Sequence, residues 1–331
     1  LGRLTEAIEP IRAALEMRIK QQDWGNAARA ASNLSELELT LGEVSGSVRH
    51  AEQSVTYSDL SGDGFLRLYS RTTHADALHQ AGGWAVAETR FGEAEQIQAE
   101  MQPHYSLLYS TQGFRYCDLL LAIPECAAWK VILRLGSQRS KIETAAASCR
   151  DISQRATQIL RWGEGMRDAP LLDFALYHLN LGRTALYKAI LEDASFVACR
   201  SSLQQAVDRL RRSGIIDELP RGLLTRAWLR SLDGAYFGPE SAHEDLDEAW
   251  EIAERGPMRL YMADIHLYRA RLFGGLKDEG GGMKYPWNKN PDGSERGPKD
   301  DLAAARKLIE RCGYWRRKEE LEDAEEASKN W

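Results

Sequence analysis

Leu181-Gly182-Arg183-Thr184-Ala185-Leu186 gains meaning when set beside Leu224-Thr225-Arg226-Ala227-Trp228-Leu229 and Leu267-Tyr268-Arg269-Ala270-Arg271-Leu272. All three read Leu-x-Arg-[Thr/Ala]-x-Leu and stand 43 residues apart. One match of this length means little, but three at a single spacing mark an internal repeat, the signature of stacked supersecondary units. Between them, Leu203-Gln204-Gln205-Ala206-Val207-Asp208-Arg209-Leu210 and Leu246-Asp247-Glu248-Ala249-Trp250-Glu251-Ile252-Ala253 read as companion helices. Gly214 and Gly256 follow them where each helix should be capped.

Toward the N-terminus the period changes to 40 residues, seen in Gly2-Arg3-Leu4, Gly42-Glu43-Val44 and Gly82-Gly83-Trp84, with Ala122 at the next equivalent place. Behind the glycines come Ala7, Ser47 and Ala87, then Ile11, Ala51 and Phe91, then Ala14, Ser54 and Ala94. Small residues flanking a bulkier one are what two closely crossing helices need at their contact. An amphipathic stretch precedes each turn, so each unit reads as a helix, a turn that tolerates left-handed dihedrals, and a second helix. We therefore expect an all-α, right-handed superhelical solenoid of antiparallel helix pairs with no sheet.

Its parts are an N-terminal sub-array over 1–122, an irregular helical joint over 123–170, and a C-terminal sub-array over 171–331. In the joint, Pro124 is expected to begin a short helix through Leu135, and a long helix is expected from Lys141 to Trp162. The Gly-, Pro- and Asn-rich stretch 277–299 reads as an inserted loop, and Arg316 to Lys329 as a charged, solvent-facing capping helix.

The net charge of −6, from 43 basic and 49 acidic residues, argues against a general binder of nucleic acid or anionic membranes. No apolar run approaches the roughly 18–20 residues a membrane helix needs. Cys117, Cys126, Cys149, Cys199 and Cys312 are scattered without a CxxC pair, which reads as reduced thiols of a cytoplasmic protein. Catalytic motifs fail on inspection. Gly280-Gly281-Gly282-Met283-Lys284 lacks the spacing and hydroxyl of a phosphate-binding loop, and no HExxH or GxSxG occurs. His74 and His79 are five apart and share no helical face well. Neither metal nor cofactor is expected, and the chain does not read as an enzyme.

The spacing of glycine and small residues within each helix pair, with Leu181-Gly182 in the first helix and Gly2 to Ala14 in the turn and second helix, resembles the tetratricopeptide repeat. The units here exceed that family's length of about 34 residues. Ser110-Thr111-Gln112-Gly113-Phe114-Arg115-Tyr116-Cys117-Asp118 and Cys312-Gly313-Tyr314-Trp315-Arg316-Arg317 resemble segments in the C-terminal arrays of bacterial STAND NTPases, the NACHT and NB-ARC group related to MalT-like regulators. That resemblance implies a sensor region that recognises a ligand or protein, with an upstream domain covalently attached. A constitutive assembly scaffold, such as the partner region of a CHAT-type protease, is the other reading.

The tetratricopeptide resemblance also implies a concave groove lined by the first helices. It places Glu36, Asp76, Tyr116, Arg183, Arg226 and Arg269 in the groove, with Tyr69, Tyr109 and Tyr187 on the same face. Such a groove would be acidic at one end and basic at the other, for a protein or peptide partner or a small anionic ligand. The repeated arginine fits two roles: gripping an anion with its planar guanidinium, or pairing with carboxylates of neighbouring helices to hold the stack in register. Tyr285 and Trp287 in the inserted loop are candidate anchors for a partner, or residues folded back onto the last helices.

Overall fold

The structure, a computed structural model, describes residues 4–136, 138–277, 281–282, 284–289, 293 and 295–331. Its α-helices are α1 Ile8–Lys20, α2 Trp24–Thr40, α3 Val44–Ser61, α4 Gly64–Gln80, α5 Trp84–Met101, α6 Ser110–Ile132, α7 Arg139–Gly165, α8 Leu171–Glu192, α9 Val197–Ser213, α10 Leu219–Leu232, α11 Ala242–Arg255, α12 Arg259–Phe273, α13 Pro298–Cys312 and α14 Lys318–Ala327. Consecutive helices pack in pairs and each pair packs on the next, an all-α solenoid. Among the described residues there is no strand, and Lys289 and Glu295 form an isolated bridge.

Local chemistry explains the punctuation. Asp23, Asp63 and Ser241 cap their helices by accepting from the backbone N–H groups of Asn26, Leu66 and Glu244, each worth about 1 kcal/mol. Gly42 and Gly82 turn the chain with φ of +83° and +80°. Two of the three small–bulky–small sets pack as their pattern requires, with Ser47, Ala51 and Ser54 on α3, and Ala87, Phe91 and Ala94 on α5, fully buried, whereas Ala7, Ile11 and Ala14 in the first unit are half-buried. In the second register, a Cβ at Gly182 would lie 2.4 Å from Leu203 Cδ2, so glycine sets the closest approach of α8 and α9.

Four expectations about the organisation are corrected. No turn occurs at Ala122, and no helix begins at Pro124, because α6 runs unbroken through both. The interior proline forfeits one helical hydrogen bond, while Leu121, Ala122, Ala128 and Trp129 around it are all buried in the core. The long helix of the joint, α7, extends from Arg139 to Gly165, slightly beyond the expected span. The charged C-terminal segment is not a solvent-facing cap: Arg316, Arg317 and Glu320 are buried, and Glu320 pairs with Arg317 and Arg271.

Candidate ligand cavity where the array closes

The solenoid turns far enough for its last helices to meet the turns of its first. A Cβ at Gly42 would lie 2.8 Å from both Arg259 Cβ and Cys312 Sγ, and one at Gly82 would lie 3.0 Å from Trp315 Cβ. Arg259 donates to the Leu41 carbonyl at 3.2 Å and to Glu43 at 2.7 Å. Val44 shares a buried apolar cluster with Ala263, Leu267, Ile309, Cys312 and Tyr314. The concave face is therefore no open groove. The C-terminal segment lies across it and leaves a cavity of about 180 Å³ lined by α2, α4, α6, α8, α10, α12 and Tyr314–Arg317.

Ion pairs bridge distant parts of the chain around this cavity. Arg183 on α8 donates to Asp118 at 2.6 Å and to Glu125 at 3.1 Å, both on α6. Arg316 also donates to Asp118 and reaches Gln80 on α4 at 3.3 Å. Arg317 joins Asp264 at 2.8 Å, Glu125 at 3.1 Å and Glu320, while Arg271 donates to Glu320 at 2.8 Å. Asp118, Glu125 and Glu320 thus each touch guanidinium groups from two segments, while Asp264 meets Arg317 and the Tyr314 hydroxyl, and these contacts compensate for removal from water. His79, fully buried and edge-on to Trp84, stands 3.8 Å from Asp118, and neither ring nitrogen has a hydrogen bond among the described residues. Burial and the neighbouring Arg316 push its pKa well below the ordinary range, keeping it neutral.

Burial alone would raise the Asp118 carboxyl, but Arg316 and Arg183 outweigh it and hold it well below the ordinary range. At Glu320 burial is likewise outweighed, by Arg317 and Arg271, and the pKa falls to about 2. Both groups contribute stability that is fully present above their unfolded values of 3.8 and 4.5 and is lost as pH falls through the folded ones. Asp264 works the other way, because there burial outweighs Arg317 and raises the pKa. Glu320→Gln should therefore be less stable than wild type at neutral pH yet lose less on acidification, measured as urea midpoints between pH 7 and about 2. Parallel curves for the two proteins would rule out this role for Glu320.

Of the residues expected in the groove, Glu36, Asp76, Arg183 and Tyr187 line the cavity. Tyr69 stands behind them, donating to Glu36 at 3.1 Å. Tyr116 stacks on Phe91 at 4.9 Å with Arg155 over its ring, and Tyr109 donates to Gln102 at 3.1 Å; neither lines the cavity. The repeated arginines do not share one groove. Arg226 forms a two-pronged pair with Asp245 on α11, and Arg269 lies between Trp250 and Trp287 and reaches Asp247 at 3.3 Å. All three meet carboxylates of neighbouring helices, the geometry of the stapling role. The loop residues fold back: Tyr285 is buried and donates to Asp301, which also meets His266, and Trp287 donates to Asp247 at 2.7 Å. Met283, in the glycine-rich stretch, lies outside the described residues.

Sequence reasoning missed the cavity's other main residues. Arg115 bridges Glu36 at 2.7 Å and Asp76 at 3.2 Å. Arg221 stands between the rings of Phe114 and Tyr261, at 5.6 and 5.5 Å from their centroids, with Nε 2.6 Å from Glu218. Neither recurs at the repeat period, so periodicity gave no signal for them. Elsewhere, Cys126, Glu319 and Asp323 come together, but Lys130 lies 2.6 Å from Glu319 and 3.6 Å from Asp323 and already balances the carboxylates. No described helix is long and apolar enough to cross a membrane. Compared with known proteins, the chain matches no protein-family model and no curated sequence.

Proposed function

We propose that the chain is a non-catalytic recognition array whose ligand is a small polar molecule held in the central cavity. The observation that carries this reading is the occupation of the concave face by the chain's own Arg316 and Arg317, bonded to Asp118, Glu125 and Asp264. A peptide laid along that face would first have to displace these pairs. The remaining space is of a size for small molecules, since an apolar cavity of about 150 Å³ accommodates benzene. A ligand there would touch helices from both ends of the array at once, so binding would favour the closed arrangement over any open one. This suits the sensor role implied by the resemblance to STAND NTPases, with closure as the signal to an attached module.

Thr225, buried on the cavity wall, offers a way to fill the space. We expect at least one member of a library of small polar metabolites to raise the melting temperature of the wild type by several degrees, and to have no effect on Thr225→Phe. Circular dichroism of the variant checks that its helices remain. A protein or peptide that binds wild type and Thr225→Phe equally well, with no small molecule shifting the wild type, would overturn the proposal.

A further inference from the structure

We infer that the ligand is a small zwitterion, one carboxylate and one ammonium on a body the size of a free α-amino acid. The inference rests on the cavity being the recognition site, and it comes from which wall atoms are still unengaged. Seven carboxylates and five guanidinium groups line the space. Most are spent on one another: Asp118, Glu125 and Asp264 on Arg183, Arg316 and Arg317, and Glu36 and Asp76 on Arg115.

What remains unengaged is of two kinds. Arg221 stands with Nε 2.6 Å from the Glu218 carboxylate but without hydrogen-bond geometry there, and its two terminal nitrogens make no hydrogen bond among the described residues. The hydroxyls of Tyr261 and Tyr268 are also without hydrogen-bond partners among the described residues, although Tyr268 is only 3 % exposed. All three residues can donate, and the flat guanidinium edge matches a carboxylate. Asp217, in the short helical turn Ile216–Glu218 before α10, also lines the cavity and has neither an ion pair nor a hydrogen bond among the described residues. It can only accept, and an ammonium group is its complement.

Charge balance then selects among ligands. A simple anion would find Arg221 but would enter a wall with two more carboxylates than guanidinium groups. A simple cation would find Asp217 but would leave the terminal nitrogens of Arg221 unmatched in a partly dehydrated space, which is costly. A zwitterion serves both at no net charge.

The test uses the full chain in thermal melts and titration calorimetry with each of the twenty common amino acids at millimolar concentration. Every amino acid that binds is then compared with its N-acetyl derivative, which lacks the ammonium, and its amide, which lacks the carboxylate. Inorganic phosphate and putrescine serve as single-charge probes. At least one free amino acid should bind, and blocking either end should weaken it about tenfold or more. Arg221→Gln should lose the discrimination between amino acid and amide, and Asp217→Asn the discrimination between amino acid and N-acetyl derivative. Phosphate, putrescine or a blocked derivative binding as tightly as the parent would overturn the inference. If no amino acid binds while another small molecule is lost in Thr225→Phe, the zwitterion is wrong and the cavity reading stands. If no small molecule binds, both fall.

Discussion

Asp118→Ala is expected to cost about 3–5 kcal/mol, because it strips a buried cluster of the acid that two guanidinium groups share. Asp118 is 4 % exposed. It accepts from Arg183 at 2.6 Å and from Arg316, whose other contacts are Gln80 at 3.3 Å and Glu125 at 3.6 Å. Without Asp118, Glu125 is the one carboxylate left to both Arg183 and Arg316, while it still shares Arg317 with Asp264 and Glu320. The cost is the penalty of burying unbalanced positive charge, and it exceeds the net worth of the original pairs. Removing charge from both sides should be gentler, so Asp118→Leu combined with Arg316→Met should recover part of the loss. Urea unfolding of the two single variants and the double variant measures this coupling. Because Arg316 tethers the C-terminal segment to α6, Asp118→Ala should also make residues 315–331 more sensitive to limited proteolysis under native conditions. A loss below about 1 kcal/mol with unchanged proteolysis would mean that Asp118 does not hold the closure.

The contrast between Ser47 and Arg316 shows what sequence could and could not convey. Ser47, Ala51 and Ser54 are read correctly because their partners lie within one unit, as in the 3.0 Å contact between the hydroxyls of Ser35 and Ser47. Arg316 is misread because its partner Asp118 lies 198 residues away. Local pattern treats a charged stretch as solvated, and only closure of the array turns Arg316 and Arg317 inward. The same limit divides the groove residues. Glu36, Asp76 and Arg183 occupy turns of helix that face the central space. Arg226 and Arg269 have equivalent places in their units, but Asp245 and Asp247 on α11 stand within reach and hold them outside it. A repeated residue therefore signals a repeated environment only when its neighbours repeat too. Arg221 shows the converse: it follows Pro220 at the start of α10 and has no counterpart in other units. A site built from non-repeating residues on a repeating frame is expected when the frame serves stability and the ligand contacts only a few units.

Trp228→Ala should be as damaging as the loss of Asp118, at about 3–5 kcal/mol, for a reason that involves no charge. Trp228 is fully buried and stacks on Trp129 of α6 with centroids 3.7 Å apart and planes 10° from parallel. Tyr268 of α12 meets Trp129 edge-on at 5.2 Å, and Tyr187 of α8 lies 5.4 Å from Trp228. Four helices thus converge on this stack, and it ties the long α6 to the C-terminal sub-array. A truncated side chain there leaves a void bounded by rings from separate helices, which cannot collapse without moving the helices themselves. Neither indole N–H in the stack has an acceptor among the described residues. Its contribution is therefore one of buried area and ring contact, and Trp228→Phe, which removes a buried donor left without a partner, should cost much less than Trp228→Ala. Tyr187 and Tyr268 also line the cavity, so the alanine variant should weaken ligand binding as well as lower the urea midpoint. Trp315→Ala, at a side chain 45 % exposed, is the comparison for a tryptophan outside the core and should cost far less. Equal losses for Trp228→Ala and Trp315→Ala, or a Trp228→Ala melt that splits into two transitions with one unchanged from wild type, would show that the sub-arrays fold independently of the stack. A single transition shifted as a whole is the expected result, because a continuous core transmits a defect at its joint along the array.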